Sequence, residues 1–296
     1  TEEFTGAGQP VGAWSTGGNL NTARFELAGA GTSSTSALAF GGDTVPGPNT
    51  AATELYDGTT WTEVNDLNQA RKQLAGAGTQ TSAVGAGGSI DTDVVASNET
   101  WNGTSWTEEA DLNTARSLLA GAGTSSESAL VFGGHTAAGT RLALTESWNG
   151  TSWTELNDLT SVKRQLAGAG TATSALAFGG ENPGGAQLAL TESWNGTSWT
   201  EVNDLNTARL NLSGAGADNT SALAFGGQAP GVTAVTEEWN GVSWTEVADL
   251  SIARYVLGGA GTQTSALAFG GQTPTVLAAT EEWSSSSNVI KVITTS

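Results

Sequence analysis

The chain has 296 residues, with 10 Lys and Arg against 29 Asp and Glu, so its formal net charge is −19 and its calculated pI is about 4.1. That charge repels phosphate backbones and anionic lipid, and no apolar run approaches the roughly 18 residues that span a bilayer, so we expect no nucleic-acid partner and no membrane insertion. The absence of Cys excludes disulfides, thiolate metal sites and cysteine nucleophiles. Met is absent even at position 1. We therefore expect a processed chain, for instance one that has lost a secretion signal, in an extracellular or virion setting.

One leucine marks a repeat that runs through the whole chain. It closes an Asp-Leu pair, once Asn-Leu, at Leu20, Leu67, Leu112, Leu159, Leu205 and Leu250, and successive spacings are 47, 45, 47, 46 and 45 residues. A fixed period of this length is typical of propellers, solenoids and arrays. We predict a single domain over residues 1–296 made of six repeats of about 46 residues, with residues 1–16 and 284–296 as closing or surplus terminal strands.

Each repeat reads as four short strands, shown best by residues 166–199. The first, LAGAGT, is poor in strand formers, which indicates a crowded axis where only small side chains allow the backbones to approach. In the second, SALAFGG, alternation places Leu176 and Phe178 on one face and Ala175 and Ala177 on the other, so that copies can stack. The third ends in TESW, TEEW or a related sequence, and an Asn-Gly or Asp-Gly pair then predicts a hairpin turn into a fourth strand that opens with Trp. The chain is predicted to be all-β.

These features together resemble the kelch repeat. The shared pattern is a Gly-Gly doublet closing the second strand, an aromatic residue in the third, a Trp shortly after it, and an Arg before the next unit. The resemblance covers essentially the whole chain and implies a six-bladed β-propeller of four-stranded kelch-type blades. The second copy, SAVGAGG, departs from it because Ala86 stands where Phe is usual, so blade two is expected to be the least well packed.

The repeat arginines are the first candidate binding residues. A ring of guanidinium groups around the axis would receive anionic ligands. The structural alternative is that each Arg pairs with a repeat Glu, such as Glu192 or Glu201, and locks one blade to the next. The ring consists of Arg24, Arg71, Arg116, Arg164, Arg209 and Arg254.

The loops between the second and third strands differ most among the copies, which is typical either of recognition or of tolerated drift. His135, the only histidine, lies in one of them with Arg141. With one His and no Cys we predict no metal site and no cofactor, and a copper radical oxidase resembling galactose oxidase is excluded. The Arg ring leaves sialidase-like chemistry formally open, although no Asp-box-like sequence occurs. Recurring carboxylates such as Glu201 and Asp204 indicate turn and cap roles.

Five sequons of the N-x-Ser/Thr type are candidate glycosylation sites, three of them within NGTS hairpins that turn geometry already explains. They lie at Asn98, Asn102, Asn149, Asn195 and Asn219.

The termini carry one surplus third strand and one surplus fourth strand. We predict that residues 11–15 supply the fourth strand of blade six, beside the strand ending at Trp283. Residues 1–4 and 289–295 are then left over, and the β-prone tail predicts either strand addition to a neighbouring copy or an extra outer strand on its own blade. Its candidate assembly residues are Val289, Ile290, Val292 and Ile293.

These features favour a non-enzymatic structural and recognition module that assembles with itself and binds surface glycans. A carbohydrate-active enzyme at the propeller axis and a kelch-type peptide-binding adaptor are the alternatives. We predict no catalytic residue.

Overall fold

The computed structural model describes residues 12–44, 48–91 and 93–285. Those residues form a six-bladed β-propeller whose blades are four-stranded antiparallel sheets, as the repeat predicts. The first strand is β1 (Gly12–Thr16). Blade one contains β2 (Ala28–Ser33), β3 (Ser36–Phe40), β4 (Thr53–Tyr56) and β5 (Trp61–Glu63). Blade two contains β6 (Ala75–Thr79), β7 (Ser82–Ala86), the short hairpin β8 (Ser89–Ile90) and β9 (Asp93–Val94), and then β10 (Asn98–Trp101) and β11 (Trp106–Glu108).

The remaining blades follow the same order. Blade three contains β12 (Ala120–Ser125), β13 (Ser128–Phe132), β14 (Thr145–Trp148) and β15 (Trp153–Glu155). Blade four contains β16 (Ala167–Thr171), β17 (Ser174–Phe178), β18 (Thr191–Trp194) and β19 (Trp199–Val202). Blade five contains β20 (Ser213–Asp218), β21 (Ser221–Phe225), the short pair β22 (Gln228–Ala229) and β23 (Gly231–Val232), and β24 (Thr236–Trp239) and β25 (Trp244–Glu246). Blade six contains β26 (Gly258–Thr262), β27 (Ser265–Phe269) and β28 (Thr280–Ser285).

The N-terminal strand completes the last blade. β1 pairs antiparallel with β28, with Trp14 opposite Trp283, so the predicted closure of blade six is confirmed for Gly12–Thr16. Val11 and the segments predicted to be surplus, residues 1–4 and 289–295, lie outside the described residues. The innermost strands contact one another all the way round, including β2 against β26, so the ring is closed.

Each blade packs the face that carries its bulky side chains against the face of the next blade that carries alanines. Leu176 and Phe178 pack on Ala222 and Ala224 of the next blade, and the phenyl ring lies 5.0 Å from the indole of Trp244. On the other face of the same strand, Ala175 and Ala177 receive the bulky residues of blade three. The alternation read from SALAF is therefore confirmed, and it buries the apolar residues of each blade against its neighbours.

The inner glycines are needed because the blades meet at the axis. A Cβ added at Gly168 would lie 2.7 Å from the carbonyl oxygen of Gly121 in the preceding blade. The doublet after the second strand has a different requirement, since Gly179 and Gly180 have φ angles of 67° and 101°, which favour glycine. In the described part of the chain, no helix is long and apolar enough to cross a membrane.

Candidate functional site

Two kinds of loop meet on one face of the propeller. The connection that enters each blade forms a single backbone bridge with the loop between that blade's second and third strands, for example Phe25 with Asp43, Ser117 with His135 and Tyr255 with Gln272. We call the surface formed by these two sets of loops the axial face. It surrounds the mouth of the central channel.

Six residues form a closed ring of backbone hydrogen bonds at that mouth. The N–H of each residue donates to the carbonyl of its counterpart in the preceding blade at 2.8–3.0 Å, and the ring closes with Glu26 N–H donating to Val256 O. All six have φ between 49° and 59°, a left-handed conformation that is strained for Leu118 and more so for β-branched Val256. This mouth ring consists of Glu26, Gln73, Leu118, Gln165, Asn211 and Val256.

The mouth ring was not predicted from the sequence, although its members occupy the same position in every repeat. Each member lies two residues after the repeat basic position, as Glu26 follows Arg24 and Asn211 follows Arg209. The residue types carry no such signal, because Glu, Gln, Leu, Asn and Val share nothing that predicts a left-handed backbone.

Below the ring, the residues that line the channel become small. Its upper part encloses about 150 Å³ between the mouth ring and the first residues of the inner strands. Its deeper part encloses about 80 Å³ and is lined by Gly and Ala alone, for example Gly168, Ala169 and Gly170. The deep channel therefore offers backbone groups and no acid, base or nucleophile.

Five of the six predicted ring arginines are fully buried, so for them the structural alternative, pairing with a repeat Glu, is confirmed and ligand binding is not. Arg209 has no exposed surface, and its guanidinium donates to Glu237 Oε1 at 3.1 Å and to the carbonyls of Gly226 and Ala224 at 3.2 Å. Its own backbone bonds to Leu188 and Gly180 of the preceding blade, so it ties two blades together. Burial lowers the pKa of Arg209, and the charge of Glu237 opposes that shift. The buried pairs of this kind are Arg24–Glu54, Arg71–Glu99, Arg116–Glu146, Arg209–Glu237 and Arg254–Glu281.

Blade four differs, and Arg164 was assigned wrongly to the ring. The residue at the buried position is Lys163, whose Nζ lies 2.9 Å from Glu192 Oε1 with neither side chain exposed. In every copy the buried basic residue lies four positions after the repeat leucine, and four positions after Leu159 is Lys163. The prediction considered only arginines and therefore chose the next residue, Arg164. Ser161 also donates to Glu192 Oε1, the oxygen that accepts from the guanidinium in the other blades.

The other repeat carboxylates have local roles. Asp204 Oδ1 accepts the backbone N–H of Thr191 at 3.1 Å, which confirms a cap, whereas Glu201 is exposed on β19 and is not the partner of a buried base. Among the described residues, no group of three or more His, Asp or Glu side chains could hold a metal ion.

The basic residues of the axial face pair with carboxylates in two small networks. Lys72 Nζ lies 2.7 Å from Asp43 and 3.5 Å from Glu26, joining blades one and two. Burial alone would lower the pKa of Lys72, but the hydrogen bond to Asp43 and the nearby carboxylates raise it. In the second network, Glu181 Oε2 accepts Arg164 Nε at 2.8 Å and lies 3.1 Å from Arg141 Nη2.

The opposite sector of the axial face, on blades five and six, carries no charge at the corresponding positions. Asn211 donates to Gln228 Oε1 at 3.0 Å, and the hydroxyl of Tyr255 donates to Gln272 Oε1 at 3.2 Å. Phe25 of blade one stands at the position equivalent to Tyr255, and both rings are half-buried. Blades five and six thus provide amides and the Tyr255 ring, and Phe25 lies on the adjoining blade one, where its backbone bridges Asp43.

His135 is held within the same face by both ring nitrogens. Its Nδ1 lies 2.8 Å from the carbonyl of Thr136, and its Nε2 lies 3.2 Å from Ser117 Oγ. Because a carbonyl can only accept, this arrangement assigns the proton to Nδ1 and leaves Nε2 to accept from the hydroxyl. His135 is thus a structural member of the face.

The sequons separate into three kinds. Asn98 is fully buried in β10, so glycosylation there is a wrong prediction. Asn219 is half-buried, and its amide nitrogen donates to Ser193 Oγ and Trp194 O. The three in NGTS turns are exposed, and each side-chain oxygen accepts two backbone N–H groups of its own turn: Asn102, Asn149 and Asn195. The predicted assembly residues at 289–293 lie outside the described residues.

Fold and site together define a closed six-bladed propeller with a structural basic core and one chemically varied face. No protein-family model matches the chain, and a search of curated proteins finds no similar sequence.

Proposed function

We propose that the protein is a non-enzymatic structural and recognition module of the kelch type, which binds glycans on its axial face. One observation carries the proposal: the buried scaffold repeats nearly unchanged, whereas six equivalent mouth-ring positions with one shared backbone conformation hold five residue types. A rigid frame that carries variable loops is the arrangement typical of recognition surfaces. The strain at Leu118 and Val256 supports a use for those side chains, because glycine would adopt the same backbone without cost.

The chemistry of the uncharged sector favours sugars among possible ligands. Amides such as Gln228 and Gln272 both donate and accept hydrogen bonds, which matches hydroxyl groups. Aromatic rings such as Phe25 and Tyr255 offer flat apolar surfaces for the C–H face of a sugar ring. The upper channel encloses only about 150 Å³, so binding over the face rather than inside the channel suits the geometry.

Hydrolysis at the axis is the less favoured function. It would need two carboxylates flanking the bond that breaks. Glu26 is the one carboxylate of the mouth ring, and it accepts a hydrogen bond from Gln73 at 2.7 Å and faces Lys72. The remaining five ring residues carry no acid.

We also propose that residues 289–293 serve self-assembly in an extracellular or virion setting. All four strand positions of blade six are filled by β26, β27, β28 and β1, so closure of the ring does not require that sequence. Deletion of residues 287–296 should abolish assembly and leave the melting temperature unchanged. A truncated protein that assembles normally, or a full-length protein that is strictly monomeric, contradicts this part of the proposal.

Glycan binding is tested on a panel of immobilised neutral and acidic oligosaccharides. We expect binding without turnover, and Tyr255→Ala should weaken it about fivefold, the effect of losing one aromatic contact worth about 1 kcal/mol. The matched control is Val242→Ala, which removes an exposed apolar side chain from the turn between β24 and β25. Absence of binding across the panel, or products of cleavage, would overturn the proposal.

A further inference from the structure

The basic residues of this acidic protein are distributed very unevenly. Of the ten Lys and Arg residues, Lys291 lies outside the described residues and six are fully buried in the blade pairs. The other three, Lys72, Arg141 and Arg164, all lie on the axial face. Exposed positive charge in the described structure is therefore restricted to the face that we propose binds ligand.

The two charged networks on that face have net charges of opposite sign. Lys72 faces two carboxylates, Asp43 and Glu26, so that network has a net charge of −1. Arg141 and Arg164 share one carboxylate, so the network at the boundary of blades three and four has a net charge of +1. It is the one net-positive cluster outside the core in the described part of a chain whose total charge is −19.

The geometry of the positive cluster leaves donors free. Both arginines use the same oxygen, Glu181 Oε2, and Arg164 reaches it through Nε. Neither Nη atom of Arg164 has a hydrogen-bond partner among the described residues, and Arg141 contacts Glu181 through Nη2 alone. The side chains of Arg164 and Arg141 are 25% and 18% exposed, so a ligand reaches the cluster from solvent while the stems stay packed.

We propose that Arg141 and Arg164 form a carboxylate-binding subsite, and that the glycans bound on the axial face are acidic saccharides of the uronate class. Two planar guanidinium groups with free donors suit a planar carboxylate, which they bind through charge-assisted, paired hydrogen bonds. Because the chain as a whole is acidic, this cluster is the place on the described surface where an anionic group meets a net positive charge. The amide and aromatic sector of the same face provides contacts for the neutral parts of such a ligand, which favours a saccharide over an acidic peptide. This inference rests on the proposed function.

The test measures binding of an α-1,4-linked galacturonate trisaccharide and of the galactose trisaccharide with the same linkage. We expect the acid to bind at least about tenfold more tightly, with an affinity that falls as salt rises, because one charge-assisted contact is worth about that factor. Arg164→Gln and Arg141→Gln should each abolish that preference. Arg164→Lys should restore only part of it, since an ammonium lacks the fork. Glu181→Gln should tighten binding of the acid, since it removes the competing carboxylate.

Thr62→Glu is the charge control, because it lowers the net charge by the same unit as Arg164→Gln but lies exposed on the outer strand β5. It should leave both affinities unchanged. Equal binding of the two trisaccharides overturns the inference while the proposed function stands. If neither trisaccharide binds and no oligosaccharide of the panel binds, both the inference and the proposed function are overturned. Stronger binding of an oligoglutamate peptide than of the uronate contradicts the saccharide assignment.

Discussion

The interface between blades two and three differs from the other five, and the difference shows what the repeat depends on. In each of the five, the phenyl ring of one blade contacts the fourth-strand indole of the next at 4.8–5.1 Å between ring centroids. That indole also donates Nε1–H to a threonine hydroxyl of the neighbouring blade at 2.9–3.0 Å. Between blades two and three, Ala86 replaces the phenylalanine and Asn98 replaces the threonine. Trp153 Nε1 and Asn98 Oδ1 are then buried with no hydrogen-bond partner.

The neighbouring strand compensates for part of this loss. Val131 stands where the other regular blades have alanine, and it packs in the same cluster as Ala86. Gly121, however, lacks the phenyl contact that Gly168 has with Phe132. Each interface therefore depends on its own pairing of a large and a small side chain. A change at one interface leaves the packing of the other five unchanged.

The largest expected effect is the removal of the phenyl ring from a regular interface. Phe178→Ala should lower the free energy of unfolding by about 3–5 kcal/mol, since it opens a cavity between blades four and five. Adding Ala224→Val, which copies Val131, should recover about 1–2 kcal/mol for the two added carbons. Equilibrium denaturation measures both. A loss below about 1 kcal/mol for the single variant means that the phenyl ring does not fill the interface as described.

The reverse change should repair the irregular interface only when two residues change together. Ala86→Phe alone should cost about 1–3 kcal/mol, because the ring would overpack against Val131. In combination with Val131→Ala it should leave the protein at least as stable as the unmodified chain. Calorimetric melting of the single and double variants checks this, and a stabilising single variant would show that Val131 does not occupy the space.

A smaller effect concerns the indole hydrogen bond. Trp199→Phe removes the donor that bonds to Thr145 Oγ1, whereas Trp153→Phe removes a donor that has no partner. The first should therefore cost about 1 kcal/mol more than the second. Urea denaturation of the two variants gives the difference directly, and equal losses would contradict the hydrogen-bond pattern.

A pH-dependent effect is expected on the closure of the ring. The Tyr56 hydroxyl donates to Glu282 of blade six and accepts the N–H of Gly18, which follows β1. Burial first, and that hydrogen bond to Glu282 second, raise the pKa of Tyr56 to about 12. Because the unfolded chain loses this proton near pH 10, the contribution of Tyr56 is complete below pH 10 and declines as the pH rises toward 12. Tyr56→Phe should flatten that part of the stability profile, and an unchanged slope would contradict the assignment.

Sequence patterns predicted the scaffold because the scaffold is periodic. The third strands follow the predicted bounds, for instance Thr191–Trp194, although β28 extends two residues beyond Trp283 to Ser285. The closure by β1 followed from counting surplus strands. What failed was single-residue chemistry within the repeat: Arg164 was placed in the ring instead of Lys163, and Asn98 was included among the candidate glycosylation sites. Burial of a side chain depends on its register in the blade, which the position in the repeat reveals and the residue type or a short motif does not.

The loops of the axial face were predicted as candidate recognition loops, but its mouth ring and its charged cluster were not predicted. The left-handed mouth ring is imposed by six hydrogen bonds between blades, so its members need no common residue type. Likewise, the cluster of Arg141, Arg164 and Glu181 contains residues of two blades, so the sequence of one repeat does not predict it.

The structure divides the basic residues into a core set that joins the blades and an axial-face pair, Arg141 and Arg164, that we propose binds ligand. One paired measurement tests it: the melting temperature and the galacturonate affinity of Arg209→Ala and of Arg164→Gln. Arg209→Ala breaks a buried ion pair, so it should cost about 3–5 kcal/mol of stability and leave the affinity of the remaining folded protein nearly intact. Arg164→Gln should leave the melting temperature within a degree or two and reduce the affinity about tenfold. An unchanged melting temperature for Arg209→Ala, or an unchanged affinity for Arg164→Gln, would contradict the division between core and face.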